Sequence, residues 1–112
     1  MDAVFLKRAK VEICRRIEEL RISSASTVSD RAVVVLDQQL VGRLSRMDAI
    51  QQQAMAVATQ AARNKELVAL SAALDRIEAG EFGYCVDCGD EIGESRLERM
   101  PTTHKCADCM QN

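Results

Sequence analysis

Two Cys-x-x-Cys pairs lie near the C-terminus of this 112-residue chain, and seventeen residues separate them. Two such pairs at this separation are the ligand pattern of a structural zinc site, because each pair forms a tight turn that presents two sulfurs on one side. The intervening loop can then bring one turn over the other and close a tetrahedron. The predicted ligands of one structural Zn²⁺ are Cys85, Cys88, Cys106 and Cys109.

Two other interpretations of these cysteines are disfavoured. The opening residues MDAVFLKRAK lack the apolar segment of a signal peptide, so a cytoplasmic location is expected, where thiols stay reduced. That argues against a pair of disulfides. Redox chemistry of a Cys-x-x-Cys motif needs a βαβ context, which the surrounding pattern does not show. The last thirty or so residues also have few large apolar side chains, so we expect their fold to depend on the metal.

The rest of the chain has the periodicity of two amphipathic helices, over residues 3–22 and 37–79. Ser-rich residues 23–30 separate them, and Gly80 is a natural stop for the second helix. The predicted stripe of the first helix is Leu6, Ala9, Ile13, Ile17 and Leu20. The predicted stripe of the second is Leu40, Leu44, Met47, Gln51, Ala54, Ala58, Ala61, Leu67, Leu70, Leu74 and Ile77, with a slip at residues 63–66.

Two amphipathic helices joined by a short connection form an antiparallel hairpin. The predicted fold class is therefore mainly α, an antiparallel helical hairpin (coiled coil) followed by a small C-terminal zinc ribbon with four cysteine ligands. The predicted domains are a hairpin over residues 1–79, with its tip loop near 23–37, and a zinc finger over 80–112. Because the second helix is about twice as long as the first, either the first helix continues past the Ser-rich segment, or residues beyond about 58 pack on the ribbon or on a second copy.

Charge and composition exclude several classes of function. Residues 81–112 carry seven acidic and three basic side chains, and four zinc-bound thiolates would make this region more negative. A finger that binds DNA is normally basic, so sequence-specific DNA binding is not expected. With one histidine, His104, and no phosphate-binding loop, no catalytic constellation is present, and the chain is predicted not to be an enzyme. No apolar run is long enough to span a membrane.

The zinc-binding region resembles a known family signature. The residues that carry the resemblance are the run GEFGYCVDCG at 80–89, then Ile92, Arg96-Leu97, Pro101 and the run CADC at 106–109. Their types and spacing together resemble the zinc finger of the DksA/TraR family, over about residues 74–109. The preceding hairpin also fits the architecture of that family.

The resemblance implies a bacterial transcription factor that binds RNA polymerase rather than DNA. Family members insert a coiled-coil hairpin into the secondary channel of the polymerase and destabilise promoter complexes, often together with ppGpp, while the zinc ribbon fixes the base of the coil. Acidic residues at the tip follow the pattern Asp-x-x-Asp-x-Ala. Asp30 and Ala32 match the second acid and the alanine, whereas Thr27 stands where the first acid belongs. Asp37 and Asp48 are alternative tip acids.

Two alternatives to a polymerase-binding regulator stay open at this point. The chain could be a structural adaptor whose ribbon and helices bind another protein. A transcript-cleavage factor of the GreA/GreB kind would need paired acids to hold a second magnesium, and a lone Asp30 supplies one carboxylate. Outside the ligand set, Cys14 is expected to be a partly buried apolar residue and His104 to face solvent or form a hydrogen bond.

Overall fold

The computed structural model describes residues 2–28 and 43–111, and these are mainly helical. The first helix, α1, spans Ala3–Ser26, and the second, α2, spans Arg43–Ala79. Two short helices follow in the cysteine-rich region, α3 over Glu94–Arg99 and α4 over Ala107–Gln111. Within the described ranges the extended backbone forms no strand, only an isolated β-bridge between Tyr84 and Glu91. The predicted fold class, a helical hairpin followed by a small four-cysteine element, is confirmed.

The Ser-rich segment does not end α1 where the sequence pattern predicted. The helix continues through Ser26, four residues beyond the expected boundary, because the hydroxyls bond to carbonyls of the helix itself. Ser26 Oγ donates to the Ser23 carbonyl at 3.0 Å, and Thr27 Oγ1 donates to the same carbonyl at 2.8 Å. Hydroxyl side chains can thus bond to backbone carbonyls in the last turn of a helix, so a Ser-rich segment does not prevent that turn from forming. The predicted tip loop between residues 29 and 37 lies outside the described residues.

Contacts divide the chain into two compact units. One contains Met1–Glu18 and Leu67–Asn112, and the other contains Glu19–Glu66. In the described part of the chain, every buried apolar side chain belongs to the first unit. These core residues are Phe5, Ile13, Ile17, Leu70, Ala73, Phe82, Cys85 and Leu97. The zinc-finger residues therefore share one core with the start of α1 and the end of α2.

The seam of the second unit is polar. On α2 the half-buried positions of this unit are Arg46, Ala49, Gln53, Ala56, Gln60, Arg63 and Glu66. Gln60 Nε2 donates to Ser24 Oγ of α1 at 2.9 Å, and Arg63 Nη1 donates to Thr27 Oγ1 at 3.1 Å. Hydrogen bonds between side chains thus take the place that apolar contacts occupy in the first unit.

The predicted apolar stripe of α2 is correct at one end and wrong at the other. Leu70 is buried and Leu67, Leu74 and Ile77 are half-buried, as predicted. By contrast Met47, Gln51, Ala54, Ala58 and Ala61 are all exposed. The inward positions continue in phase from Leu67 through Arg63 and Gln60, so the expected slip at residues 63–66 is absent. Leu40 lies outside the described residues, as does the side chain of Leu44.

α2 ends at Gly80 in a Schellman motif. The Glu81 N–H donates to the Arg76 carbonyl at 2.8 Å, and the Gly80 N–H donates to the Ile77 carbonyl at 3.2 Å, which is the bond pattern of that cap. Gly80 has a φ of 76°, in the left-handed region where a side chain is unfavourable. The glycine predicted to stop the helix does so and starts the chain into the cysteine-rich region.

We expect Gly80→Ala to destabilise the first unit by about 1 kcal/mol, because a Cβ at positive φ strains the backbone. A Cβ at this position would meet no atom within 4 Å, so the cost is conformational and not steric. Urea denaturation monitored by circular dichroism measures it. Gly80→Asn is the control, since asparagine tolerates this conformation better and should lose less stability. Equal stability of wild type and the alanine variant would contradict the capping role.

Candidate metal centre

The first cysteine pair is built on a tight turn that follows the end of α2. Its key bond runs from the Gly89 N–H to the Cys85 carbonyl at 2.9 Å, and Gly89 has a φ of 77°. The Cys85 N–H donates to the Asp90 carbonyl at 2.8 Å, which closes the returning chain against the turn. This positive φ explains why a glycine directly follows Cys88.

The second pair uses a different local structure with the same first bond. The Met110 N–H donates to the Cys106 carbonyl at 3.0 Å, the counterpart of the Gly89 bond in the first turn. Here the chain continues as the short helix α4, and the described non-glycine residues have no positive φ. A glycine is therefore not required after Cys109, and Met110 occupies that position without strain.

One backbone bond joins the two turns: the Val86 N–H donates to the His104 carbonyl at 2.9 Å. Close by, an ion pair forms between Lys105 Nζ and Asp87 Oδ2 at 3.2 Å, on partly exposed side chains. A further contact holds the loop to α2, where Arg76 Nη2 donates to the Thr102 carbonyl at 3.4 Å. Sequence reasoning did not identify Arg76 or Thr102, because a bond to a backbone carbonyl leaves no signature in residue types.

The four cysteines predicted as zinc ligands come together. Their Sγ atoms all lie within 4.8 Å of one another, and the Sγ atoms of Cys88 and Cys106 are 3.6 Å apart. Zinc–sulfur bonds of about 2.3 Å in a tetrahedron require sulfurs about 3.8 Å apart, so this cluster fits a zinc ion. All five cysteines of the chain are free of disulfides.

Electrostatics at the cluster favour a bound cation. Hydrogen bonds from backbone groups, first that of Cys106 and then that of Cys88, lower the pKa of the Cys85 thiol to about 6. The Cys109 pKa is raised, mainly by its hydrogen bonds with the side chains of Cys106 and Cys85. Four thiolates this close repel one another, so they cannot all ionise without a divalent ion between them. The cofactor expected from the sequence, one structural zinc ion, is thus supported by the donor set.

Of the two residues considered outside the ligand set, one lies as expected and one does not. His104 is exposed and does not join the clustered groups, in agreement with the expectation. Cys14 was expected to be partly buried, but it is exposed on α1. The reason is its position one residue past the buried Ile13, which turns it away from the seam of the helix.

The candidate tip residues are not brought together by the described part of the structure. Asp30, Ala32 and Asp37 lie outside the described residues. Asp48 is described and lies exposed in the second turn of α2. The choice among the three acids therefore stays a prediction. Among residues 2–28 and 43–111, no helix has the length and apolar character needed to cross a bilayer.

The fold and the cluster define a zinc-finger protein with four cysteine ligands and a helical hairpin. Comparison with known proteins shows which proteins of this class it is similar to. Residues 80–111 match the family model of the prokaryotic dksA/traR C4-type zinc finger. RNA polymerase-binding transcription factor DksA of Escherichia coli (strain K12) is 28% identical over 108 residues, which cover 94% of this chain and 72% of that protein. The protein of the same name from Haemophilus influenzae is 48% identical over 40 residues, 36% of this chain and 28% of that one.

A solved structure shows the same fold over the whole length. Transcription factor DksA2 from Pseudomonas aeruginosa matches with a TM-score of 0.82 at 21% sequence identity, covering 99% of this chain and 84% of that one. The zinc-finger match, the DksA sequences and this fold together support one assignment. Residues 80–111 match the dksA/traR type of zinc finger, and the chain is similar to DksA over most of its length, which supports placing it with the DksA/TraR proteins.

Proposed function

We propose that this chain is a non-enzymatic, cytoplasmic transcription regulator that binds RNA polymerase. The observation that carries the proposal is the similarity to E. coli DksA, which extends over 94% of this chain and so includes both the hairpin and the finger. That relative is an RNA polymerase-binding transcription factor. A finger alone is a common module, whereas a finger joined to a hairpin of this length has the parts that the family uses on polymerase.

The mode of action that we propose is insertion of the hairpin into the secondary channel, where it alters the stability of promoter complexes. Zinc held by Cys85, Cys88, Cys106 and Cys109 would fix the base of the hairpin. The excess of acidic side chains over residues 81–112 supports a protein partner over a direct contact with DNA phosphates. The alarmone ppGpp is a candidate co-effector at the interface with polymerase.

For the tip we propose Asp30 as the working acid, with Ala32 beside it. The support is the spacing of these two residues, which fits the second half of the Asp-x-x-Asp-x-Ala pattern. Asp48 is the less favoured choice, because it lies within α2 as an exposed helical residue. Asp37 is a further alternative, and substitution of each acid separates the three.

The test is binding to purified bacterial RNA polymerase, with a competitor that blocks the secondary channel. We expect competed binding for wild type, for Asp30→Asn and for the matched control Asp48→Asn, which makes the same change at an exposed helical site. Asp30→Asn should shorten promoter-complex lifetime much less than wild type or the control does, with the comparison repeated in ppGpp. If Asp30→Asn shortens promoter-complex lifetime as fully as wild type and Asp48→Asn does not shorten it, the working acid is Asp48. Absence of polymerase binding would overturn the proposal and favour a protein adaptor.

A further inference from the structure

The second unit is held together by hydrogen bonds between side chains and not by an apolar core. None of its side chains is buried in the described ranges, whereas the first unit contains every buried apolar side chain found there. The inward positions of α2 in this unit carry alanine and polar or charged side chains, as described above. Burial of apolar surface is the dominant favourable contribution to helix packing, so the second unit lacks the main source of stability that the first unit has.

Four side chains form one connected network across this seam, which we call the polar clasp: Ser24 and Thr27 on α1, and Gln60 and Arg63 on α2. Gln60 Nε2 donates to Ser24 Oγ at 2.9 Å, while Arg63 Nη1 donates to Thr27 Oγ1 at 3.1 Å and to Gln60 Oε1 at 3.3 Å. The Thr27 hydroxyl in turn donates to the Ser23 carbonyl. Because the bonds share their members, loss of one loosens the others.

The polar clasp holds the two helices only weakly. Its groups are at most half-buried and can bond to water when the helices separate, so each hydrogen bond has a small net value. Among the described residues, the Arg63 guanidinium bonds to uncharged oxygens, and no carboxylate offsets the desolvation of its charge. Arg46 is also inward, and its buried Nε has no hydrogen-bond partner in the described part of the chain. Separation of the helices would hydrate both guanidinium groups.

We propose that the second unit is a closure that opens on its own: residues 19–26 of α1 and 46–62 of α2 separate and rejoin at the polar clasp while the first unit stays folded. Opening of this kind is typical of segments with few buried apolar contacts. A partner that recognises the closed hairpin would bind less tightly in proportion to the fraction that is open. The inference concerns the free protein, so it stands or falls independently of polymerase binding.

Hydrogen exchange of the zinc-loaded full chain, measured by NMR at increasing urea, tests the opening. Amides of residues 50–62 should exchange at least about tenfold faster than those of residues 67–73, which surround the buried Leu70. Their exchange should also depend less on urea, because a local opening exposes less surface than global unfolding. Equal rates with equal urea dependence in the two ranges would show a single global unfolding and would overturn the proposal.

Two single variants test the role of the polar clasp across the seam. Ser24→Ala, on α1, should speed exchange of the amides of 50–62 on α2 by several-fold, and Gln60→Ala, on α2, should do the same for residues 21–26 of α1. Each effect is observed in the helix that does not carry the substitution, so a change in helix propensity does not explain it. Gln52→Ala is the matched control, since Gln52 is exposed on the same helix. If Gln60→Ala has no larger effect on α1 than this control, the clasp does not hold the helices together.

A double variant tests the same idea in the opposite direction. Gln53 and Gln60 are both inward and lie one heptad apart, so Gln53→Leu with Gln60→Leu places two apolar side chains in the seam. Exchange at residues 50–62 should then slow by about tenfold or more, toward the rates of residues 67–73. Glutamine and leucine are similar helix formers, so circular dichroism should show an unchanged helix content. Unchanged or faster exchange in a variant with intact helices would show that the polar seam does not control the opening.

Discussion

Chelation of zinc is expected to unfold residues 80–111 while most of the helical signal of the chain remains. Few apolar residues of this region are buried, chiefly Phe82 and Leu97 besides Cys85. Full burial of such a side chain contributes about 1.5–3 kcal/mol, whereas a structural zinc site contributes about 10–16 kcal/mol at neutral pH. The metal is therefore the larger part of the folding free energy of the finger. The helices α3 and α4 have six and five residues, against 24 and 37 in α1 and α2, so the ellipticity should fall only modestly.

Hydrogen exchange before and after chelation measures this effect residue by residue. We expect loss of protection at the amides of Gly89, Met110 and Val86, whose bonds form and join the two cysteine turns. Cys88→Ser should reproduce the loss and release close to one equivalent of zinc per chain. Cys14→Ser is the matched control, because it removes the one cysteine outside the cluster, on an exposed position of α1. Retained protection in the metal-free protein would show that packing alone holds the finger.

The effect of zinc removal should extend into the hairpin, because the finger shares its core. Phe82 and Leu97 belong to the same unit as Phe5 and Ile13, and Arg8 of α1 forms an exposed ion pair with Glu98 of α3 at 3.3 Å. That ion pair is worth little by itself, but loss of the buried contacts uncovers the first turns of α1. We expect fraying there, so the thermal midpoint of the remaining helices should fall as well.

The zinc cluster could be predicted from the sequence because metal chemistry imposes strict requirements. A tetrahedral thiolate site needs four cysteines, and two short spacings place two sulfurs on each turn whatever the remaining residues are. The positions of Gly80 and Gly89 were informative for a similar reason, since both have a positive φ that other residues rarely adopt. Where a single residue type satisfies a physical requirement, the pattern leads directly to the structure.

The inward face of α2 could not be predicted in the same way over residues 47–61. Apolar periodicity selects the most hydrophobic stripe and assumes that it is buried. In the second unit the inward residues are alanine, glutamine and arginine, and Gln60 and Arg63 form bonds to Ser24 and Thr27 that no periodicity reveals. Hydrophobicity therefore selected the exposed face.

Leu70→Ala is expected to destabilise the first unit by about 2–5 kcal/mol, the range for truncating a fully buried leucine. Leu70 is 0% exposed and belongs to the same unit as Ile13 and Phe82, so the cavity would open in the core of the first unit. For a domain of this size the thermal midpoint should fall by about 10 °C or more. Val68→Ala is the matched control, because Val68 lies two residues earlier on α2 and is 71% exposed. Its free energy of unfolding should change by no more than about 0.5 kcal/mol. Calorimetry of the zinc-loaded protein measures both, and equal midpoints for the two variants would show that Leu70 does not stabilise the core of the first unit.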